Sequence, residues 1–507
     1  MAFFDPKRAK WILLFFAIFY ALITFVNHRM FRTSSLDLGI YNNAIYDYAH
    51  FRANDTRLLT PINSDVGTPY FDNKLSDHFA VTQFLYAPFY HVFGSYTLLI
   101  FQWLAVLLGG WGVFRFFSSF DYPRHYGALA MLHYFAFFGF HSALAFDYHD
   151  NVIGVSALPW LFLFMRKGNI KGFIILFLLA LGCKETISVF FFFVFSVMAL
   201  FPFEKSRQQR VMSLLAATFS FVYFLIITKV VMPSLANEGR DAYLHFNYTA
   251  LGESYGDAIQ FVITHPWETM KMFFTNHTGS NIGDYIKLEL YMVLVLSGAI
   301  AWVLRPKWLL IAIPLIAQKV LNDDVPKWGL NHHYSVELVA LVTFGLFEAL
   351  KGLNKYSWRN VVATLLVAST FATTLIKYDG RISKWYIRAC QNIFIKQHYQ
   401  RDFDTAELRE ALKLIPGDGE TSVSAHFNLV PHLAFRKDIY EFPTVDDAEY
   451  IAVLTQGYWP MDSQEEYSNA IQDYLDDPGW IIIYEGNMTI IFKRKTSADS
   501  KLDFVRP

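Results

Sequence analysis

The chain has 507 residues, of which 54% are hydrophobic and only 17% charged, and its formal net charge is −1. Soluble domains carry roughly 25% charged residues, so this balance points to a bilayer protein. The charge leaves no basic footprint for nucleic acid. The two cysteines, Cys183 and Cys390, make neither a disulfide framework nor a zinc spacing.

The first apolar run, Trp11 to Val26, is long, and no small-residue cleavage site follows it, so it reads as an uncleaved anchor. In chain order, about eleven segments come near the roughly 20 residues that a bilayer requires: 11–30, 95–116, 125–142, 152–166, 170–184, 187–203, 211–232, 286–304, 307–321, 335–351 and 359–377. "FAVTQFLYAPFYHVF", ahead of the second, is short and holds Pro88, which suggests an interfacial or re-entrant helix.

The loops give sidedness. With the N-terminus inside, the inner segments hold Lys7, Arg8 and Lys10; Arg115 and Arg124; Arg166, Lys167 and Lys171; Lys205, Arg207 and Arg210; Arg305 and Lys307; and Lys351, Lys355 and Arg359. Each is short and basic, in agreement with the positive-inside rule. The predicted architecture is a mainly α polytopic bundle over 1–377, with outer loops 31–94 and 233–285, followed by a small outer α/β domain over 378–507. In that tail "RDFDTAELREALKLIP" and "SQEEYSNAIQDYLDD" read as helices. "TSVSAHF", "DIYEFP", "YIAVL", "WIIIYEG" and "MTIIFKR" read as strands. The last residues, "KTSADSKLDFVRP", read as a loose end.

Ionisable groups near a bilayer are costly and usually face a cavity or a partner. Here they gather on the predicted outer side: Asp37, then Lys74, Asp77 and His78, then Asp147, His149 and Asp150, then Lys184 and Glu185, then His332, His333 and Tyr334. Each also has a plainer reading. Asp37 follows "TSS" and suits a helix cap. Asp77 and His78 suit a solvated loop, and Lys184 suits a snorkelling cation. The Asp147/His149/Asp150 cluster offers metal ligands but lacks a helical HExxH-type pattern. Of the neighbours His332 and His333, at most one is expected to face inward. On residues alone, transporter, enzyme and receptor all fit.

In order, "LDLGIYNNAIY", "DHFAVTQFLYAPFY", "FDYHDNVIGVSALPWLFLF", "KETISVFFFFVFSVMAL" and "NHHYSVELVALVTF" resemble a prokaryotic family of predicted membrane proteins, domain of unknown function 2079. "IPGDGETSVSAHFNLVPHLAFRKDIYEFP" and "DAEYIAVL" extend the resemblance into the tail. That family looks like a branch of the GT-C superfamily of membrane glycosyltransferases. The resemblance implies a multi-pass protein of the prokaryotic inner membrane, with its C-terminal domain outside. It implies a hexosyl- or pentosyltransferase that takes sugar from a polyprenyl-phosphate donor and gives it to a glycan, lipid or protein acceptor. It also implies an essential acidic residue in the first outer loop, which falls on Asp37 as base. The chain departs from better-known members in having no D-x-D pair there and no W-W-D signature in its tail. No residue is assigned to a metal, no cofactor is required by the pattern, and a divalent cation stays open.

In that reading Lys184, with His78 and His333, meets the donor phosphate, and Asp77, Asp147, His149, Glu185, His332 and Tyr334 contact substrate. The outer domain positions an acceptor or caps the cavity, and the stretch with His426 and His432 is its candidate surface. Two rivals stay open: a lipid-linked sugar transporter or flippase, and a non-catalytic envelope assembly protein.

Overall fold

The computed structural model describes residues 9–58, 72–120, 125–237, 245–353, 358–378 and 392–496. Lys7, Arg8, Arg124, Lys355, Cys390 and the predicted loose end beyond residue 496 lie outside the described residues.

Most of the chain is helical, and every segment expected to be apolar helix contains helix. Among the described residues, four helices are long and apolar enough to cross a bilayer: Ala9–Arg29, Gln83–Phe117, Arg207–Leu235 and Arg359–Lys377. Tyr126–Ala136 and Phe138–Phe146 would make a fifth, bent by 45°. The remaining segments are shorter or broken. Asp150–Ser156 gives way at Ala157 to Leu158–Arg166, which has Pro159 in its first turn, where a missing N–H costs least. Ile286–Leu296 gives way at Gly298, φ +99°, to the tighter turns of Ala299–Leu304.

The stretch around Pro88 is not a separate re-entrant helix. Two 3₁₀ turns, Ala87–Phe89 and Gly94–Tyr96, link it to Thr97–Phe117 as one helical run. Pro88 sits in the first turn of the 3₁₀ piece, where its missing N–H costs least.

Glycines and buried polar bonds set the packing. Gly109, Gly110 and Gly112 share one helix, and a Cβ at Gly110 would run into the Phe135 ring. Their lack of side chains lets Thr97–Phe117 lie against Tyr126–Ala136 and Leu158–Arg166. His133 links two further elements, through Thr343 Oγ1 at 2.9 Å and the Ser297 carbonyl at 2.8 Å. Lys377 and Glu289 form a buried ion pair within the bundle.

The C-terminal domain has the expected strands and helices. Its five-stranded sheet runs in the order Ile439–Glu441, Val423–Ala425, Tyr450–Leu454, Thr489–Arg494 and Trp480–Glu485. The first three strands are parallel, and the last two join antiparallel. Gln464–Asp476 buries Tyr467 and Ile471 against it.

This domain docks on the segment that follows the first helix. Arg32 donates to the carbonyls of His398 (2.7 Å), Gln397 (2.7 Å) and Gln400 (2.8 Å). Asn42 donates to Pro431 O at 3.0 Å and Asn43 to Arg436 O at 2.9 Å, while Asn428 donates back to Thr33 O at 3.1 Å. Val430 packs so close to Gly39 that a Cβ there would lie 2.8 Å from Val430 Cγ1.

Candidate active site

The segment bearing Asp37 begins with a wide turn, Ser35–Gly39, and continues as the helix Ile40–Ala49. Its Ser34 N-cap makes no side-chain capping bond. Asp147, from a distant loop, accepts the Ser34 N–H at 2.8 Å and its own neighbour Tyr148 N–H at 2.9 Å. Asp37 is thereby relieved of capping. Its Oδ1 lies 3.1 Å from His149 Nε2, and its side chain is 23% exposed.

Asp37 opens onto a cavity of about 640 Å³, and Asp77, His78, His149, Lys184, His333 and Tyr334 line the same space. Asp147, Glu185 and His332 are not among its lining residues; they stand behind the wall. Glu185 accepts from the Phe79 N–H at 3.1 Å and pairs with His78 Nδ1 at 3.2 Å, so it pins the 78–79 turn. His332, with φ +59°, turns its ring onto Phe146 with centroids 4.0 Å apart. His333 turns the other way and stacks on His149 at 3.6 Å.

The cavity has two characters. Val189, Phe190, Phe193, Phe224, Pro314 and Leu315 form an apolar side. Four lysines, Lys74, Lys184, Lys319 and Lys327, and four carboxylates, Asp37, Asp77, Asp324 and Glu337, supply its charges. Lys74 pairs with Asp77 at 2.7 Å, Lys319 with Glu337 at 2.6 Å and Lys327 with Asp324 at 3.3 Å. The Lys184 side chain, on a residue 9% exposed, makes no ion pair or hydrogen bond with a described residue. An incoming anion would therefore find one cation that no described carboxylate contacts directly.

Burial sets the titration of the loop groups. It raises the Asp147 carboxyl well above the usual range, and the charge of Asp37 adds to the shift. Burial would also raise Asp77, but Lys74, His78 and His245 together hold it well below the usual carboxylate range. Burial, reinforced by Lys184, pushes His78 down to about 3. Burial and the nearby His149 push His332 down to about 4.

The Asp147/His149/Asp150 cluster does not form a metal-ligand group. Asp147 serves backbone N–H groups and His149 faces Asp37. Asp150 binds the Tyr148 hydroxyl at 2.5 Å and Gln83 at 2.9 Å. The expected exposed face at His426 and His432 is also corrected. His426 is buried, 3.2 Å from the Gly457 carbonyl, and His432 stacks on His28 at 4.1 Å. The motif seals the contact between the domain and the first helix.

Three contributors escaped the sequence reading. Lys319 carried a signal, a cation ending the otherwise apolar Pro306–Val320. Lys327 and His245 lie in polar loops with no pattern to mark them. His245 nonetheless reaches Asp77 Oδ1 at 3.3 Å and stacks on His78 at 4.2 Å.

The model of a family described as "Predicted membrane protein (DUF2079)" matches residues 27–491. No curated protein matches the chain. Two solved structures resemble it. ArnT from Cupriavidus metallidurans bound to undecaprenyl phosphate is 11% identical, with a TM-score of 0.48 over 96% of this chain and 98% of that one. The apo state of ArnT from the same organism is 9% identical, with a TM-score of 0.41 over 96% and 98% of the two chains. Since the family match runs through nearly all of the bundle and the C-terminal sheet, the chain belongs to the DUF2079 family of predicted membrane proteins.

Proposed function

We propose that this protein is a membrane glycosyltransferase. It transfers a sugar from a polyprenyl-phosphate carrier to an acceptor hydroxyl on the outer face of a prokaryotic inner membrane, with Asp37 as base. The reading rests on one juxtaposition: Asp37 and Lys184 line the same cavity, and Val189, Phe190, Phe193, Phe224 and Leu315 give that cavity an apolar part. A lipid-linked phosphate sugar needs an apolar wall for the chain, a cation for the phosphate and a carboxylate for the acceptor. The GT-C resemblance of the sequence supports the same chemistry. The short basic segments support the outward sidedness.

In the proposed reaction the acceptor O–H gives its proton to the free oxygen of Asp37 as the acceptor oxygen attacks the anomeric carbon. The bond from that carbon to the phosphate oxygen breaks, and the phosphate leaves with the electron pair. Lys184 meets the growing charge, with His333 in support, in a site where little water competes. In-line attack inverts the anomeric centre. His149 holds Asp37 in place, and Asp77 and Tyr334 line the space for the sugar. Asp147, Glu185 and His332 act through the segments that they pin. The two charged groups sit in a partly buried setting, where fixed dipoles outweigh bulk water.

The test is carrier release. Wild type and Asp37→Asn are placed in lipid nanodiscs with a panel of polyprenyl-phosphate sugars, and free carrier is followed by mass spectrometry. The expected loss in Asp37→Asn is about 10²–10⁴-fold, the usual weight of a positioned base, with donor binding unchanged. Wild-type protein that binds donors and moves them across the bilayer without releasing carrier would replace this reading with transport. Retention at the anomeric centre would reject direct attack.

A further inference from the structure

Two segments far apart in sequence, the turn at 77–78 and the loop at 245, bring three donor side chains to one point of the cavity wall. One ligand atom from each of Asp77, His78 and His245 lies within 4.8 Å of the others. Asp77 Oδ1 and His245 Nε2 are 3.3 Å apart. In a tetrahedral zinc site with bonds of about 2.0–2.1 Å, two ligand atoms are separated by roughly 3.3–3.4 Å. That pair stands at the edge length of such a tetrahedron. His245 Nε2 also donates to the Asp77 carbonyl at 3.0 Å and its ring stacks on His78 at 4.2 Å, so ion binding would shift that proton to Nδ1 and turn the His245 ring out of the stack.

The surrounding groups prepare the donors. His78 Nδ1 faces Glu185 Oε1 at 3.2 Å. With the carboxylate accepting, Nδ1 carries the proton and Nε2 keeps its lone pair. This is the carboxylate–histidine arrangement that orients metal-binding imidazoles. Lys74 Nζ takes only Oδ2 of Asp77, at 2.7 Å, which leaves Oδ1 for a second partner. Asp77, His78 and His245 all line the cavity, so a fourth position would open into it. Two imidazoles and one carboxylate suit zinc better than magnesium or calcium, which prefer oxygen ligands alone.

We propose that Asp77, His78 and His245 form a three-ligand site for a zinc-class divalent cation, open to the cavity at its fourth position, with Glu185 as the positioning residue for His78. The bound ion would tie the 245 loop to the 77–78 turn. Its binding does not depend on the transfer reaction, and the two fail separately: the ion is measured with no donor present.

Full-length protein in nanodiscs is stripped with chelator, titrated with Zn²⁺ alone and desalted, and retained zinc is measured by mass spectrometry. Co²⁺ in its place reports four-coordinate geometry through its visible absorption. Wild type is expected to retain equimolar zinc and to gain in melting midpoint, since an ion that binds only the folded state stabilises it. His245→Ala and His78→Ala lose the ion. Glu185→Gln weakens it about 10–100-fold, as expected of an orienting partner. His149→Ala retains it. Well-folded wild type that holds no zinc overturns the proposal, as does equimolar zinc retained by His245→Ala. His245 is 30% exposed and stands in a turn outside the helices of the bundle, so His245→Ala is expected to fold and decides the matter even where His78→Ala misfolds.

Discussion

Asp37 Oδ1 sits 3.1 Å from His149 Nε2, and His149 is in turn stacked on His333 with ring centroids 3.6 Å apart. The carboxylate of the first loop is thus held by a loop more than a hundred residues away, while its other oxygen is left for a substrate proton. His149→Ala should keep donor affinity and lower turnover by about 10²-fold, the cost of a misplaced reacting group. The check is kcat against KM for carrier release. A change in KM alone would show that His149 binds substrate and does not orient the base.

Lys184 and Lys319 should respond differently to the same substitution. Lys184→Met removes a cation with no described partner, so the fold should hold while donor binding weakens by roughly 1.5–3 kcal/mol, the value of a charged hydrogen bond. Lys319→Met strands Glu337, its partner at 2.6 Å, and should lower the melting midpoint. Binding of a phosphate-linked lipid by fluorescence and melting by intrinsic tryptophan emission separate the two.

Gly110→Ala should destabilise the bundle by about 1–3 kcal/mol, because the new methyl meets the Phe135 ring between two packed helices. Gly39→Ala adds its methyl 2.8 Å from Val430 Cγ1, at the contact between the C-terminal domain and the Asp37 segment. Its effect should fall on turnover more than on melting. Equal effects of the two glycines on melting and turnover would argue against a separate positioning role for this contact.

Asn43→Ala removes donors to the carbonyls of Arg436 and Ala434. Leaving those buried acceptors unmet should cost about 1–3 kcal/mol. Limited proteolysis should then release the C-terminal domain sooner than in wild type. Unchanged proteolysis would mean that Arg32, Asn42 and Asn428 suffice to hold the domain.

The C-terminal domain and its contact with the first helix should also be acid-sensitive. Burial pushes His426 and His432 down to about 3 from an ordinary value of 6.5. The unfolded chain takes up these protons as pH falls through 6.5, whereas the folded chain resists until about 3. Stability is therefore full above that window and falls within it, by up to about 1.4 kcal/mol per pH unit for each imidazole. Melting of the full chain between neutral and mildly acidic pH checks this, and His426→Gln should flatten the slope. A midpoint indifferent to acid would contradict it.

Much of the fold was legible because its signals are local. Runs of apolar residues mark the helices, and alternating short runs mark the strands of the C-terminal sheet. Both follow from the period of the backbone itself. The breaks were harder to read. The turn between Ser156 and Leu158 and the linkage through Pro88 depend on how neighbouring helices pack, and a window of sequence does not contain those neighbours. The candidate cavity was legible in part for a different reason. Charge is so costly near a bilayer that each ionisable residue stands out, and eight of the twelve singled out line one space.

The sequence by itself determined the class of protein, the helical segments, the separate C-terminal domain and the set of ionisable residues worth attention. These depend on residue type and spacing alone. Only the tertiary structure decided which of those residues meet. It made Asp147, and not Asp37, the group that serves the helix start, and it turned His333 inward and His332 away. It brought His245 to Asp77 across 168 residues and left Lys184, of the four described cavity lysines, as the one whose side chain has no ion pair. Each of these outcomes depends on distance between segments that share no local period, and such distances are settled by packing.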